Sequence, residues 1–211
     1  MVRARSIRLA STRKSGVMRV RLATMLVALA MLAPPAQAEE PPPTDEARLA
    51  TARAAVKGLG ETLKEQLVAA IKAGGPIAAV AVCRTIAPAI SEDKSRTYGI
   101  KVGRTALKVR NRDNAPDAFE RRVLEEFVRR IDSGADPAGL EHAEMVTEGG
   151  ETLFRYMKAI PTAAEPCLAC HGPSLKPELR AEILRLYPDD QATAFSVGDL
   201  RGAFTVTQKV K

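Results

Sequence analysis

Aromatic residues are scarce in this chain: three Tyr, five Phe and no Trp among 211 residues, alongside only three Cys and two His. So few rings leave no stacking platform for nucleic-acid bases. No apolar run reaches the roughly 18 residues that a spanning helix needs. Acidic residues are missing from the first 38 positions, which hold seven basic ones: Arg3, Arg5, Arg8, Arg13, Lys14, Arg19 and Arg21. Those seven account for the whole formal charge of +7, because the chain has 32 Lys and Arg against 25 Asp and Glu. The remainder is neutral, which argues against a phosphate-tracking surface and therefore against a nucleic-acid partner. With 45% hydrophobic residues the chain is also too apolar to be disordered.

The basic stretch runs into the apolar segment Leu22–Ala33, the length of a signal-peptide core and short for a bilayer. Pro34 and Pro35 follow, and Ala36, Gln37 and Ala38 present the small-residue pattern that signal peptidase reads. Residues 1–38 are therefore expected to be a cleaved secretory signal, with translation beginning at Met1 or Met18. Cleavage leaves a periplasmic chain of 173 residues from Glu39, without a stable membrane anchor and within the size of one domain. Residues 39–46 are expected to be a disordered leader, proline-rich over Glu39–Pro43, ahead of a single domain at 47–211.

Thr44 is a suitable N-cap with Asp45 and Glu46 in the first turn, and Leu49, Ala52, Val56, Leu59, Leu63, Leu67 and Ile71 recur at spacings of three and four. Gly74 and Gly75 stop this helix, and Pro76 opens a second over Ile77–Ala87 that is rich in small apolar residues. Tyr98–Val109 reads as strand. Asn114–Pro116 is expected to open a helix whose buried face carries Phe119, Val123, Phe127 and Ile131. Residues 145–158 read as a hairpin turning at Gly149 and Gly150, Pro177–Tyr187 as helix, and Gly202–Val210 as a last strand. There is no internal repeat. Helices first, then strands around one helix, describe an α+β domain with an antiparallel sheet.

The segment Cys167, Leu168, Ala169, Cys170, His171 carries the chemistry. In C-x-x-C-H the two thiols add across the vinyl groups of a haem and the adjacent imidazole becomes the proximal iron ligand. With this composition a chance occurrence is expected on the order of 0.0004 times per chain. A thioredoxin-like pair belongs between a strand and a helix in a βαβ unit, whereas this motif lies between Pro166 and the Gly172, Pro173 pair, which favours a loop. Zinc would need a fourth ligand from Cys83 or His142. The expected cofactor is one covalent haem c. It also supplies a flat apolar body that a core of eight aromatics lacks.

A six-coordinate iron needs a second axial ligand, and the candidates are Cys83, His142, Met145 and Met157. Cys83 is an odd thiol in an oxidising compartment, with Ala79, Val80, Ile86 and Ala87 three and four residues away, and is equally readable as ligand or as buried thiol. His142, between Glu141 and Glu144, reads as a solvated loop residue. Met157, on a strand shortly before the motif, is the strongest rival to Cys83. Arg104, Arg110 and Arg155 have the fork geometry that suits haem propionates but are equally readable as surface strand residues.

Beyond the haem motif, the chain carries Ala81–Cys83 with Ala87 and Pro88, Gly103–Thr105, Arg110 and Asn111 with Asn114–Asp117, Arg155–Lys158, and Gly198–Ala203. With Cys167–Gly172, this ordered set resembles the mono-haem c-type sensor-domain family with a PAS-like fold. That family, long catalogued as a domain of unknown function, occurs alone in the periplasm or fused to histidine kinases and chemoreceptors. The resemblance spans nearly all of the chain after residue 38. It implies a PAS-like antiparallel sheet with long N-terminal and flanking helices, and a helix-borne cysteine, here Cys83, as distal ligand. Arg112 and Ala159 stand where the family pattern has proline, and Ala194 where it has glycine.

The expected function is accordingly a redox or small-ligand sensor, a binding module and not an enzyme, acting through an unidentified redox or signalling protein. The alternative is a small periplasmic electron-transfer cytochrome c.

Overall fold

The computed structural model describes residues 44–210, so the expected signal peptide and the proline-rich Glu39–Pro43 lie outside the described residues. Helix α1, Asp45–Ala81, starts two residues inside the stretch expected to be a disordered leader. The N-cap read from the sequence is the one observed: the Thr44 side chain accepts from the Ala47 amide, and Asp45 and Glu46 place negative charge at the helix N-terminus. The break expected at Gly74 and Gly75 is present as a kink, with non-helical backbone angles at both glycines.

Beyond the kink the helix does not stop at Ala87. It passes through one π-helical turn, Val82–Ile86, into α2, Ala87–Tyr98. The cause is local. Pro88 has no N–H for the carbonyl four residues earlier and its ring crowds that carbonyl, so the helix opens by one residue and Ala87 donates instead to Val82 O. Gly99, at φ 65°, then ends α2 as a left-handed cap.

Strands β1 (Lys101–Thr105), β2 (Glu141–Glu148), β3 (Glu151–Pro161) and β4 (Leu200–Lys209) form an antiparallel sheet in the order β1-β4-β3-β2. The expected hairpin is β2–β3, and Gly149 and Gly150 supply its two positive φ angles, 59° and 82°. His142 is not in a loop, as the sequence suggested. It lies in β2 opposite Met157, 2.8 Å from Glu144, because the alternating pattern continues upstream of Met145.

Alternate residues of the strands face two different cores. Val102, Phe154, Tyr156 and Val206 pack on Ala52, Ala55, Val56 and Leu59 of α1. Met157, Ala159 and Ala203 pack against helix α3, Ala118–Asp132, through Phe119, Val123, Leu124 and Phe127. This helix begins at Ala118, two residues later than expected. Asp117 caps it, its side chain accepting from the Glu120 amide while Glu120 reaches back to the Asp117 amide. Arg155, only 2% exposed, ties this end of α3 to the sheet by pairing with Asp117 at 2.6 Å and Glu148 at 3.2 Å. The α+β class and antiparallel sheet expected from the sequence are those observed.

Candidate functional site

The C-x-x-C-H residues form a short helix, α4 (Cys167–His171), where a loop was expected. Gly172 closes it. Its amide donates to Leu168 O at 3.0 Å, and a Cβ at this position would stand 2.6 Å from that same oxygen, so no other residue fits without displacing backbone. Helix α5, Pro177–Leu186, follows, and its Leu179 and Ile183 pack with Tyr187 against Val80 of α1.

The segment after α5 holds His171 in place. Ala192 O lies 2.7 Å from His171 Nδ1, and a carbonyl can only accept, so Nδ1 carries the proton. Nε2 then keeps its lone pair, as an imidazole that binds metal must. Burial, reinforced by the positive charges of Arg201 and Arg110, pushes the His171 pKa down to about 2 and keeps the ring neutral. The Phe195 ring meets it edge-on at 6.3 Å.

A buried network fixes this segment against the motif. Arg110 donates to both Asp190 oxygens, at 3.0 and 3.3 Å, and also to Cys170 O at 2.7 Å and Ala192 O at 3.2 Å. Asp190 is fully enclosed and additionally accepts from Arg180 and from the Ala192 amide. Sequence reasoning considered Arg110 but missed Asp190. The signal was a lone pair of aspartates, Asp189 and Asp190, after a predicted helix, with nothing local to say which points inward.

Ala194 is the one non-glycine residue with positive φ, 59°, among those described. Its amide donates to Gly172 O at 3.1 Å. A left-handed alanine costs about 1 kcal/mol. Ala194→Gly relieves that strain while adding chain entropy to the unfolded state, so a gain of a few tenths of a kcal/mol up to about 1 kcal/mol is expected in denaturant unfolding.

Cys83 sits on the π-helical turn and is partly buried. It, Cys167, Cys170 and His171 line one cavity of about 360 Å³. None of the three cysteines is paired in a disulfide. Burial raises the Cys170 pKa. The apolar walls are Leu63, Leu67 and Ile71 of α1, Val80 and Val82 beyond the kink, and Phe204 of β4. The helical stretch Asp45–Tyr98 is long and apolar enough to cross a membrane by length and composition alone, and its Leu63, Leu67, Ile71, Val80 and Val82 line this cavity. Among the described residues no three His, Cys, Asp or Glu side chains converge on one point able to hold a bare metal ion. The thiols and the imidazole instead line a slot, and that donor set fits a flat apolar group carrying its own metal.

The remaining candidates lie elsewhere. Met157 is fully buried in the α3-side core and does not line the cavity. Met145 is exposed, and His142 pairs with Glu144 on the far strand of the sheet. Arg155 belongs to the α3 network and is likewise absent from the cavity wall. Arg104 lines the cavity as considered, joined by Arg201, which sequence reasoning missed although it lies within the quoted Gly198–Ala203 motif. Burial, then repulsion from Arg110 and Arg104, lowers the Arg201 pKa to about 10; burial also lowers that of Arg104.

The sequence model of the Tll0287-like family matches residues 17–208, and the chain belongs to that family. Among solved structures it is similar to the cyanobacterial heme-protein Tll0287, with 28% identity and a TM-score of 0.57 over 79% of this chain and 97% of that one. No curated protein matches.

Proposed function

We propose that this member of the Tll0287-like family carries one covalent haem on Cys167 and Cys170, with His171 and Cys83 as axial ligands, and serves in the periplasm as a redox or small-ligand sensor. The observation that carries this reading is the convergence of Cys83 with the C-x-x-C-H residues, more than 80 positions later, on one apolar cavity. The similarity to a solved heme-protein supports it.

When bound, the haem supplies a one-electron iron couple whose potential depends on the axial groups. The chain's own residues do the rest. Cys167 and Cys170 hold the group, the Ala192 carbonyl fixes the tautomer and orientation of His171, and Leu63, Leu67 and Val80 exclude water. Cys83 lies on a π-helical turn between two helical segments, where a one-residue change in hydrogen bonding moves its side chain. A distal ligand on such an element is suited to exchange, and exchange is what a sensor needs. The output then passes to a separate protein.

Optical and paramagnetic-resonance spectra in both oxidation states test this. A low-spin ferric thiolate signal is expected in the oxidised protein, and optical bands of a haem without thiolate ligation in the reduced one. A methionine-to-iron charge-transfer band, with identical ligation in both states, would instead favour the electron-carrier reading.

A further inference from the structure

The cavity wall carries two cations without acidic partners. Arg104, on β1, makes no hydrogen bond or ion pair to any described residue. Arg201, on β4, makes one long contact, from Nη1 to Lys108 O at 3.4 Å, and stacks over the Phe195 ring at 5.4 Å. The third arginine nearby, Arg110, is saturated by Asp190, whose two oxygens also serve Arg180 and the Ala192 amide and have nothing left for a neighbour. The other charged residues on the wall are Lys64 and Glu165, and no salt bridge joins Glu165 to either arginine.

Two half-buried like charges facing one apolar cavity repel each other, and a low-dielectric wall makes an unpaired charge costly. A ligand with two carboxylates removes that cost. Arginine forks match carboxylates in geometry as well as charge. Arg104 lies between the apolar cavity and an adjoining polar groove, as do Cys83, Ala87, Asn111 and Asn114, which line both.

We propose that Arg104 and Arg201 form the clamp for the two propionate side chains of the haem, an inference that rests on the haem reading above. Arg110 is a positioning residue for the His171 segment and takes no part in the clamp.

The test uses the haem-loaded protein and its R104Q/R201Q variant, compared by resonance Raman bands of propionate bending and by the pH dependence of the midpoint potential. In the wild type the clamped carboxylates stay ionised. In the variant the bending bands are expected to shift, and the proton-linked step in the potential to move up by about one pH unit or more. Should the double variant fail to accumulate, R104K/R201K carries the test: it keeps both charges and loses both forks, so the bands shift while the pH profile stays close to wild type. Unchanged bands and an unchanged pH profile in R104Q/R201Q, or unchanged bands in R104K/R201K, overturn the clamp and leave the haem reading standing. A wild-type protein without any haem absorption overturns both.

Discussion

Replacing Cys83 by alanine is expected to raise the midpoint potential by on the order of 0.1 V or more, a sizeable part of the roughly 0.8 V that haem ligands span. A thiolate donates charge and favours iron(III), so its removal makes reduction easier. The ferric spectrum should change with it. Met157→Ala, by contrast, should leave the ligand-sensitive bands in place, because Met157 is packed among Phe119, Val123 and Leu124 on the other face of the sheet. It is also expected to cost about 2–5 kcal/mol of stability, the usual range for emptying a fully buried site. The two variants therefore separate by readout: one moves the potential, the other the unfolding transition. A Cys83→Ala protein with unaltered spectrum and potential, beside a Met157→Ala protein in which both change, would reverse the assignment.

The second large effect concerns stability. A Cys167→Ser, Cys170→Ser double variant cannot attach the group, and its cavity of about 360 Å³ must then collapse or stand open. At about 24 cal/mol per Å³ an unrelaxed void of that size would cost about 9 kcal/mol, an upper limit that partial collapse reduces to several kcal/mol. For a domain of this length that corresponds to a fall in Tm of roughly 10 °C or more. The loss should be local. Leu63, Leu67, Ile71 and Val80 lose their shared partner, whereas Ala52, Val56 and Leu59 pack on the sheet and do not line the cavity. Side-chain spectra should thus broaden around the kink and α5 first. Sharp native-like signals and an unchanged Tm would show that the bound group is not part of the core.

What was legible in the sequence follows the range of the interactions. The C-x-x-C-H segment was readable because its chemistry is local: five consecutive residues carry it. The β2–β3 hairpin was readable because two glycines in succession announce their turn. The stripe of α1 was readable because apolar residues recur on a single face for about seven turns. Other features depend on partners distant in sequence. That Met157 does not line the cavity follows from which face of the sheet it takes, and alternation by itself does not name the face. The π-helical turn had a local cause in Pro88, but a proline after an apolar run reads equally well as a helix end, which is why the helix was expected to stop at Ala87. His142 was misplaced because flanking glutamates suggest a loop, while in the structure Glu144 pairs with Arg122 and Glu141 with Arg53, each from a different helix. The Arg110–Asp190 pair spans 80 residues, and no local pattern marks it.

The central claim is that Cys167 and Cys170 bind a haem covalently, and intact mass spectrometry of the denatured protein, purified from the periplasm of a haem-maturing host, tests it most directly. The account predicts a 173-residue chain beginning at Glu39 plus the mass of one haem, retained after denaturation and lost in the Cys167→Ser, Cys170→Ser variant. A chain of peptide mass alone, or one that holds zinc under native conditions and no porphyrin, would contradict it.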